Sequence, residues 1–462
     1  MTGQPAGAAL LDDLRAALPD MRLLVEPADT EAYRFDETEY MRPGRPLAVC
    51  FPRATAEVVE IVRLCSRHGV PIVPRGAGTG LSGGAVAIDG ALTVAFGQLN
   101  RILEIDPANL TATVQPGVIN AELGRAVAEH GLFYAPDPAS FEMCTIGGNL
   151  AENSGGLRCV KYGVTRDFVL GLEVVLADGE VIRTGGKNVK DVAGYDLTGL
   201  FVGSEGTLGL ITEATLRLLP LPPPKLTMIA FFPSVPAAGD AVARITAAGV
   251  VPVTLELMDA FTIAAVDEMH QLGLDRTAAA LLMVESDAGG AAAEAELSAA
   301  EAACAAAGAT SIVRAANAQE ADWLRQARRA AHPALERAGV ARMDDVGVPR
   351  GRIPEMLAEI ERVSAELALP IGVFGHAGDG NLHPTYIVSR GDEEAERLID
   401  TARDRIYRAA LGLGGTVTGE HGTGIAKRPW LEAQRGPRAV AAMRAIKDAL
   451  DPAGLLNPGK VI

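Results

Sequence analysis

Two sets of residues in this chain have types and spacings that suit chemistry. The first combines "GHAGDGNLHP", which sets His376 seven residues before His383 among Gly375, Gly378 and Gly380, with "TGEHGTG", where Glu420 and His421 stand between glycines. Imidazoles and a carboxylate carried on turns can converge on one divalent cation, and three protein ligands leave coordination positions open for a substrate. Lone histidines are more often simply hydrogen-bonded, but the chain has only seven and three of them fall in these two motifs. The second set is "PRGAGTGLSGGA", residues 74–85, with five glycines beside Arg75. Bare backbone lets N–H groups approach a ligand without Cβ interference, as a diphosphate cradle requires. A flexible surface loop is the alternative, but the flanking segments are apolar rather than Ser/Gly filler.

The elements around the glycine loop decide its format. "HGVPIV" before it reads as a strand, and "GGAVAIDGALTVAF" after it runs on into strand-like sequence. A Walker loop would end in GK[ST] and a Rossmann fingerprint would open directly into a helix, so neither fits. Further glycine clusters follow in "TIGGNLAENSGGLRCVKYG" (145–163) and "FVGSEGTLGLIT" (201–212). Three clusters in one region imply a long ligand lying against backbone, and a flavin dinucleotide is long enough.

Short β-branched runs ("ALTVAF", "TATVQPG", "LGLEVVLADGEVIRTG") alternate with amphipathic helical patterns ("TAEVVEIVRLCSRHG") as far as "LLPLPPPK", residues 218–225. That proline run can continue neither a helix nor a central strand and marks a linker. Beyond it, longer helical patterns, including the Ala-rich "AAAEAELSAAEAACAAAGA", are interleaved with strand candidates "TLELM" and "ALLMVES". Composition agrees with a multidomain globular protein: 48% of residues are hydrophobic and 22% charged. The net charge of −16 argues against broad nucleic-acid or anionic-membrane binding, so any anionic ligand must be held by local groups. Cys50, Cys65, Cys144, Cys159 and Cys304 are odd in number and contain no CxxC, which points to buried free thiols rather than disulfides, a thiolate zinc site or an iron–sulfur cluster. The N-terminus lacks a basic flank before an apolar run, and no window holds eighteen consecutive apolar residues, so a cytoplasmic protein is expected.

The three glycine clusters resemble the FAD domain of the vanillyl-alcohol oxidase-like flavoproteins. The likeness continues over about residues 40–462 with the group containing glycolate oxidase FAD subunits, D-lactate dehydrogenases and D-2-hydroxyglutarate dehydrogenases. It implies an α+β fold: a two-subdomain FAD-binding domain of the vanillyl-alcohol oxidase (PCMH) type, an α+β substrate or cap domain, and a C-terminal segment returning to the flavin. The expected boundaries are an N-terminal helical segment at 1–43, the FAD domain at 44–220, the cap at 221–410 and the C-terminal segment at 411–462, with the catalytic site between the two domains. FAD contacts are implied for Arg75, Gly76, Ala77, Gly78, Thr79, Gly80, Gly83, Gly84, Gly147, Gly148, Ser154, Gly155, Gly206 and Ile211, and for Asn457 in the terminal "LDPAGLLNPGKVI". Some relatives attach flavin through a histidine in or near the first loop; residues 74–85 contain none, so non-covalent FAD is expected.

The resemblance also assigns roles in the second set: His376, His383 and Glu420 as ligands of a divalent metal, zinc first with manganese or iron as alternatives, and His421 as catalytic base. Adjacent residues in an extended or turn segment point to different sides, so Glu420 can face the cation while His421 faces the substrate. "DWLRQARRAAHPAL" places Arg325, Arg328 and Arg329 beside Trp323 on a helical pattern. Arginines on helices are mostly solvated, but an arginine fork matches a carboxylate, and Arg328 falls where the family has its substrate-carboxylate arginine. Where 2-hydroxyglutarate enzymes carry a lysine for the distal carboxylate, this chain has Met343 in "ARMDDVGVP".

The expected activity is therefore FAD- and metal-dependent oxidation of a D-2-hydroxy acid, namely D-lactate, glycolate or a related monocarboxylate. The alternatives are a D-2-hydroxyglutarate dehydrogenase, a metallohydrolase using only the histidine and glutamate set, and a non-catalytic flavin electron-transfer subunit of a larger oxidase. Electrons would leave to a quinone, a cytochrome, an electron-transfer flavoprotein or a partner subunit, with peripheral membrane contact through that acceptor as a variant of the cytoplasmic reading. A homodimer is expected.

Overall fold

The computed structural model describes residues 6–38 and 40–462. The first residues of the N-terminal segment, 1–5, lie outside the described residues, as does Glu39. The chain divides into two units. One comprises Met1–Gly155, Val164–Leu221 and His421–Ile462; the other comprises Gly156–Gly163 and Pro222–Glu420.

In the first unit, the apolar runs become two principal sheets. A four-stranded sheet has the order Arg22–Leu24, Ala48–Phe51, Leu92–Ala95, Ile72–Arg75, with the last three strands parallel. Parallel strands need a covering crossover, and the helix Thr55–His68 supplies it. Its stripe of Val58, Ile61, Val62 and Cys65 is fully buried against Ala48, Cys50, Ile72 and Leu92, each such aliphatic side chain contributing about 1.5–3 kcal/mol. The second sheet is antiparallel, in the order Ile102–Asp106, Thr111–Val114, Leu210–Arg217, Val169–Val175, Val181–Gly185. The C-terminal chain joins this unit along the edge strand Ile72–Arg75: the Ile72 N–H donates to Leu455 O (2.8 Å) and the Asn457 N–H to Ile72 O (2.8 Å).

The second unit is built on one antiparallel eight-stranded sheet, ordered Ser311–Arg314, Leu226–Phe232, Ala280–Ser286, Thr254–Asp259, Ile371–His376, Asn381–Val388, Val340–Met343, with Val346–Gly347 also pairing with Asn381–Val388. Leu226–Phe232, Thr254–Asp259 and Ala280–Ser286 are nearly all buried, which explains their continuous apolar runs. The Ala-rich segment is the helix Gly290–Ala306, and it packs through Ala293, Leu297, Ala300 and Cys304. None of the five cysteines forms a disulfide among the described residues; four are buried and Cys159 is half-buried. Among the described residues no helix is long and apolar enough to cross a membrane.

Candidate functional site

The first glycine loop leaves the strand Ile72–Arg75 and forms one wall of a groove with about 990 Å³ of free space, its open mouth included. The second wall comes from the helix Ile146–Glu152, whose first turn is started by Thr145, its hydroxyl accepting from the Gly148 N–H (3.2 Å). Residues 204–206 and 209–211 complete the groove. Of the residues with implied FAD contacts, all line this groove except Gly83, Gly155 and Asn457. Asn457 stands behind the wall, donating to Gly84 O (3.0 Å) and Glu205 O (2.8 Å) of two lining residues.

Two glycines show why the wall is bare. Gly78 has φ +86, and a Cβ there would run into the Arg75 guanidinium, itself bonded to Phe35 O (2.6 Å) and stacked over Tyr33. At Gly147 a Cβ would stand 2.5 Å from Pro116 Cβ. These glycines let protein segments approach one another, whereas a Cβ at Gly80 would meet nothing closer than 3.8 Å. The groove therefore presents open backbone to a ligand, as a dinucleotide needs. A buried oxygen also fits a bound donor: Glu152, which lines the groove, has an Oε2 without a hydrogen-bond partner among the described residues.

Beside it lies a buried charge cluster that glycine spacing does not announce. Burial raises the Glu152 carboxyl well above its usual range, reinforced by Glu205 and Asp36. Burial also lifts Glu205 to about 7, against the opposing backbone hydrogen bonds from Thr423 N (2.7 Å) and Gly424 N (2.8 Å). Lys460 is pushed down to about 8 by burial and donates to Gly84 O and Val86 O (both 2.9 Å). Glu205 and Lys460 thus tie the segment after His421 and the chain's last residues to the groove wall.

In the second unit, His376 ends the strand Ile371–His376 and His383 sits on its hairpin partner, Asn381–Val388. Both Nε2 atoms converge on one oxygen, Glu420 Oε1, at 3.1 Å from His376 and 3.2 Å from His383. Ligands bound at 2.0–2.1 Å around a tetrahedral ion stand about 3.3 Å apart; the two histidine–Glu420 separations match that, and all three donor atoms lie within 4.8 Å of one another, so the group could hold a small divalent cation. Burial drives the Glu420 carboxyl up, but the positive field of His376 and hydrogen bonds from both histidines hold it well below the usual carboxylate range. Burial likewise favours a neutral His376, yet Glu256 and Glu420 keep its pKa well above the usual histidine value. The backbone of Glu420 is fixed by Asp345, whose Oδ2 accepts from the Gly419 N–H (2.6 Å) and the Glu420 N–H (2.8 Å). His421, next along the chain, is half-buried and opens the segment that belongs to the first unit.

The three arginines of the helix Ala318–Arg329 separate by environment. Arg329 is exposed, Arg325 pairs with Glu285 (3.0 Å), and Arg328 is 4% exposed, over the Phe374 ring and 2.5 Å from Glu256. Arg328 Nε and Nη2 have no hydrogen-bond partner among the described residues, the Nη2 contact with Glu256 being an ion pair, so a buried cation keeps unused donors. Sequence reasoning passed over Glu256, Asp345 and Glu205. Glu256 alone carried a signal, a lone acid in the apolar run "TLELM", since a buried charge demands partners.

Family models for the FAD binding domain and for the C-terminal domain of FAD linked oxidases match residues 46–185 and 221–461. The chain belongs to the FAD-linked oxidases and is an FAD-dependent oxidoreductase. It is 48% identical to the glycolate oxidase subunit GlcD of Bacillus subtilis, over 93% of this chain and 91% of that one. It is 37% identical to the D-2-hydroxyglutarate dehydrogenase of Xanthomonas citri pv. viticola, over 97% and 96%. Its fold matches p-cresol methylhydroxylase with a TM-score of 0.81 at 19% identity, over 99% and 97%. The α+β reading and the PCMH-type FAD fold are thereby confirmed.

Proposed function

We propose that the protein oxidises a D-2-hydroxy monocarboxylate, such as glycolate or D-lactate, to the 2-oxo acid. One observation carries this reading: buried Arg328 and the three donors His376, His383 and Glu420 occur in one unit and are linked through Glu256. A carboxylate anchor and a cation site held by a common residue match the two functional groups of a 2-hydroxy acid.

The groove of the first unit would hold FAD non-covalently, and bound FAD supplies the hydride acceptor. His376, His383 and Glu420 would hold a divalent cation, zinc first, which acidifies a bound α-hydroxyl. Arg328 binds the substrate carboxylate with charge-assisted donors and fixes which face of Cα is presented. His421 accepts the hydroxyl proton, and a neutral imidazole at that position is the competent form. The strand Val340–Met343 places Met343 against the apolar cluster of Phe374 and Leu335, which favours a short or apolar substrate tail over a second carboxylate. Electrons would pass onward to a quinone, a cytochrome, an electron-transfer flavoprotein or a partner subunit, a reading supported by relatives named as a subunit.

The cofactor assignment is tested on the purified protein. His376→Ala, His383→Ala and Glu420→Ala should each lose metal and turnover while keeping releasable FAD. Undiminished metal in all three variants, by elemental analysis, would sink the ligand assignment.

A further inference from the structure

The observations reach furthest at Glu256, a residue that neither the glycine loops nor the histidine motifs contain. It lies at the centre of the strand Thr254–Asp259, 1% exposed, with strands on both sides. Its carboxylate oxygens stand 2.9 and 3.0 Å from His376 Nδ1, and Oε2 is 2.5 Å from Arg328 Nη2. Phe374, under the Arg328 guanidinium, precedes His376 by two residues on one strand, so both side chains share a sheet face. One carboxylate thus touches a candidate metal ligand and the candidate substrate anchor at once.

We propose that Glu256 is a positioning residue that serves both, aligning the His376 ring for the cation and holding Arg328 for the substrate carboxylate. A carboxylate accepts hydrogen bonds, so His376 donates from Nδ1 to Glu256, and Nε2, which faces Glu420 Oε1 at 3.1 Å, is the nitrogen left to give up its proton and offer a lone pair when a cation binds. That is the tautomer a cation requires, and such outer partners commonly govern metal affinity by ten- to hundredfold. On its other side, Glu256 fixes a long side chain that would otherwise sample many rotamers. The guanidinium is held in place before substrate arrives, with Nε still uncommitted. A buried charge is costly unless paired, and replacing Glu256 strands one partner on each side. The metal site and the carboxylate anchor are consequently not independent: an error in one carboxylate misplaces both.

This inference rests on the proposed function. It is tested on FAD-loaded protein by two equilibrium constants. Zn²⁺ affinity is read by competition with a chromogenic chelator, and pyruvate affinity by the shift that binding causes in the flavin absorbance at saturating Zn²⁺. Glu256→Gln is expected to bind Zn²⁺ ten- to hundredfold more weakly. With Zn²⁺ restored to saturation it should still bind pyruvate about tenfold more weakly, as for a lost charge-assisted contact, and Glu256→Asp should recover part of each loss. A residue that acts only on the metal would regain wild-type pyruvate affinity once Zn²⁺ is saturating. That result, or wild-type Zn²⁺ affinity in Glu256→Gln, overturns the shared role. If Glu256→Gln does not fold, Glu256→Asp carries the test alone: smaller losses in both constants support the proposal, and a wild-type value in either overturns it. A wild-type protein that takes up no Zn²⁺ fails the proposed function and the metal arm together, whereas normal uptake with an indifferent Glu256→Gln fails this inference only.

Discussion

The groove of the first unit and the histidine–glutamate cluster of the second would hold a ligand in opposite ways. The groove works by omission: Gly76, Gly80 and Gly148 leave backbone exposed along its walls, and its rigidity comes from segments packed behind it, such as Pro116 against Gly147. The cluster would work by provision: His376, His383 and Glu420 are side chains, and two of them lean on a further residue, Glu256 for the ring of His376 and Asp345 for the backbone of Glu420. A backbone site tolerates substitution of neighbouring side chains and fails when atoms are added. A side-chain site fails when atoms are removed, including atoms that never touch the ligand.

The comparison is broken most severely at His421. His421→Ala should leave FAD and 2-oxo acid binding nearly intact yet slow flavin reduction at least about a hundredfold, the usual range for a lost general base. Arg328→Ala should act on binding instead, raising the apparent substrate dissociation constant by about ten- to a hundredfold. Rapid mixing at several substrate concentrations separates the two. Wild-type reduction in the first variant or unchanged affinity in the second returns that residue to a structural role.

Adding atoms to the groove is the converse test. Gly147→Val places branched carbon where even a Cβ stands 2.5 Å from Pro116, and overpacking of this kind costs about 1–3 kcal/mol. FAD content should fall while metal content is kept, and loss of both at once would deny that the two sites are built separately.

The smallest effect concerns the charge cluster behind the groove. Glu205 sits at about 7 in the folded protein against an ordinary 4.5. A carboxyl raised on folding contributes stability that is fully present below its unfolded value and is lost as pH rises through the folded one. FAD-free protein should therefore lose stability between about pH 4.5 and 7. Glu205→Gln should flatten that slope, measured by urea unfolding at each pH, and an unchanged slope would assign it to other groups.

Much of this was legible because it depends on local spacing. Glycine loops, the proline run at residues 218–225 and the strand "ALLMVES" are properties of short segments, and Ala280–Ser286 spans that strand residue for residue. The residues named from sequence that line the groove belong to the glycine-rich segments whose backbone forms its walls. Asn457 was named and lies behind it, because its role comes from a long-range bond to Gly84 that spacing does not encode. Glu256, Asp345 and Glu205 act across more than seventy residues of chain, on His376, Glu420 and Thr423. Such contacts exist only once the sheets have formed. Helical spacing alone does not separate the three arginines; the family resemblance picked out Arg328, and it is the one buried, over the Phe374 ring.

The central claim is that both regions serve one oxidation, and the most direct measurement is anaerobic mixing of the FAD-loaded protein with a panel of D- and L-2-hydroxy acids while the flavin absorbance is followed. Rapid bleaching by glycolate or a D-2-hydroxy monocarboxylate, slow or absent with the L-enantiomers and with D-2-hydroxyglutarate, is the predicted result. A flavin that stays oxidised with every member of the panel would contradict the account.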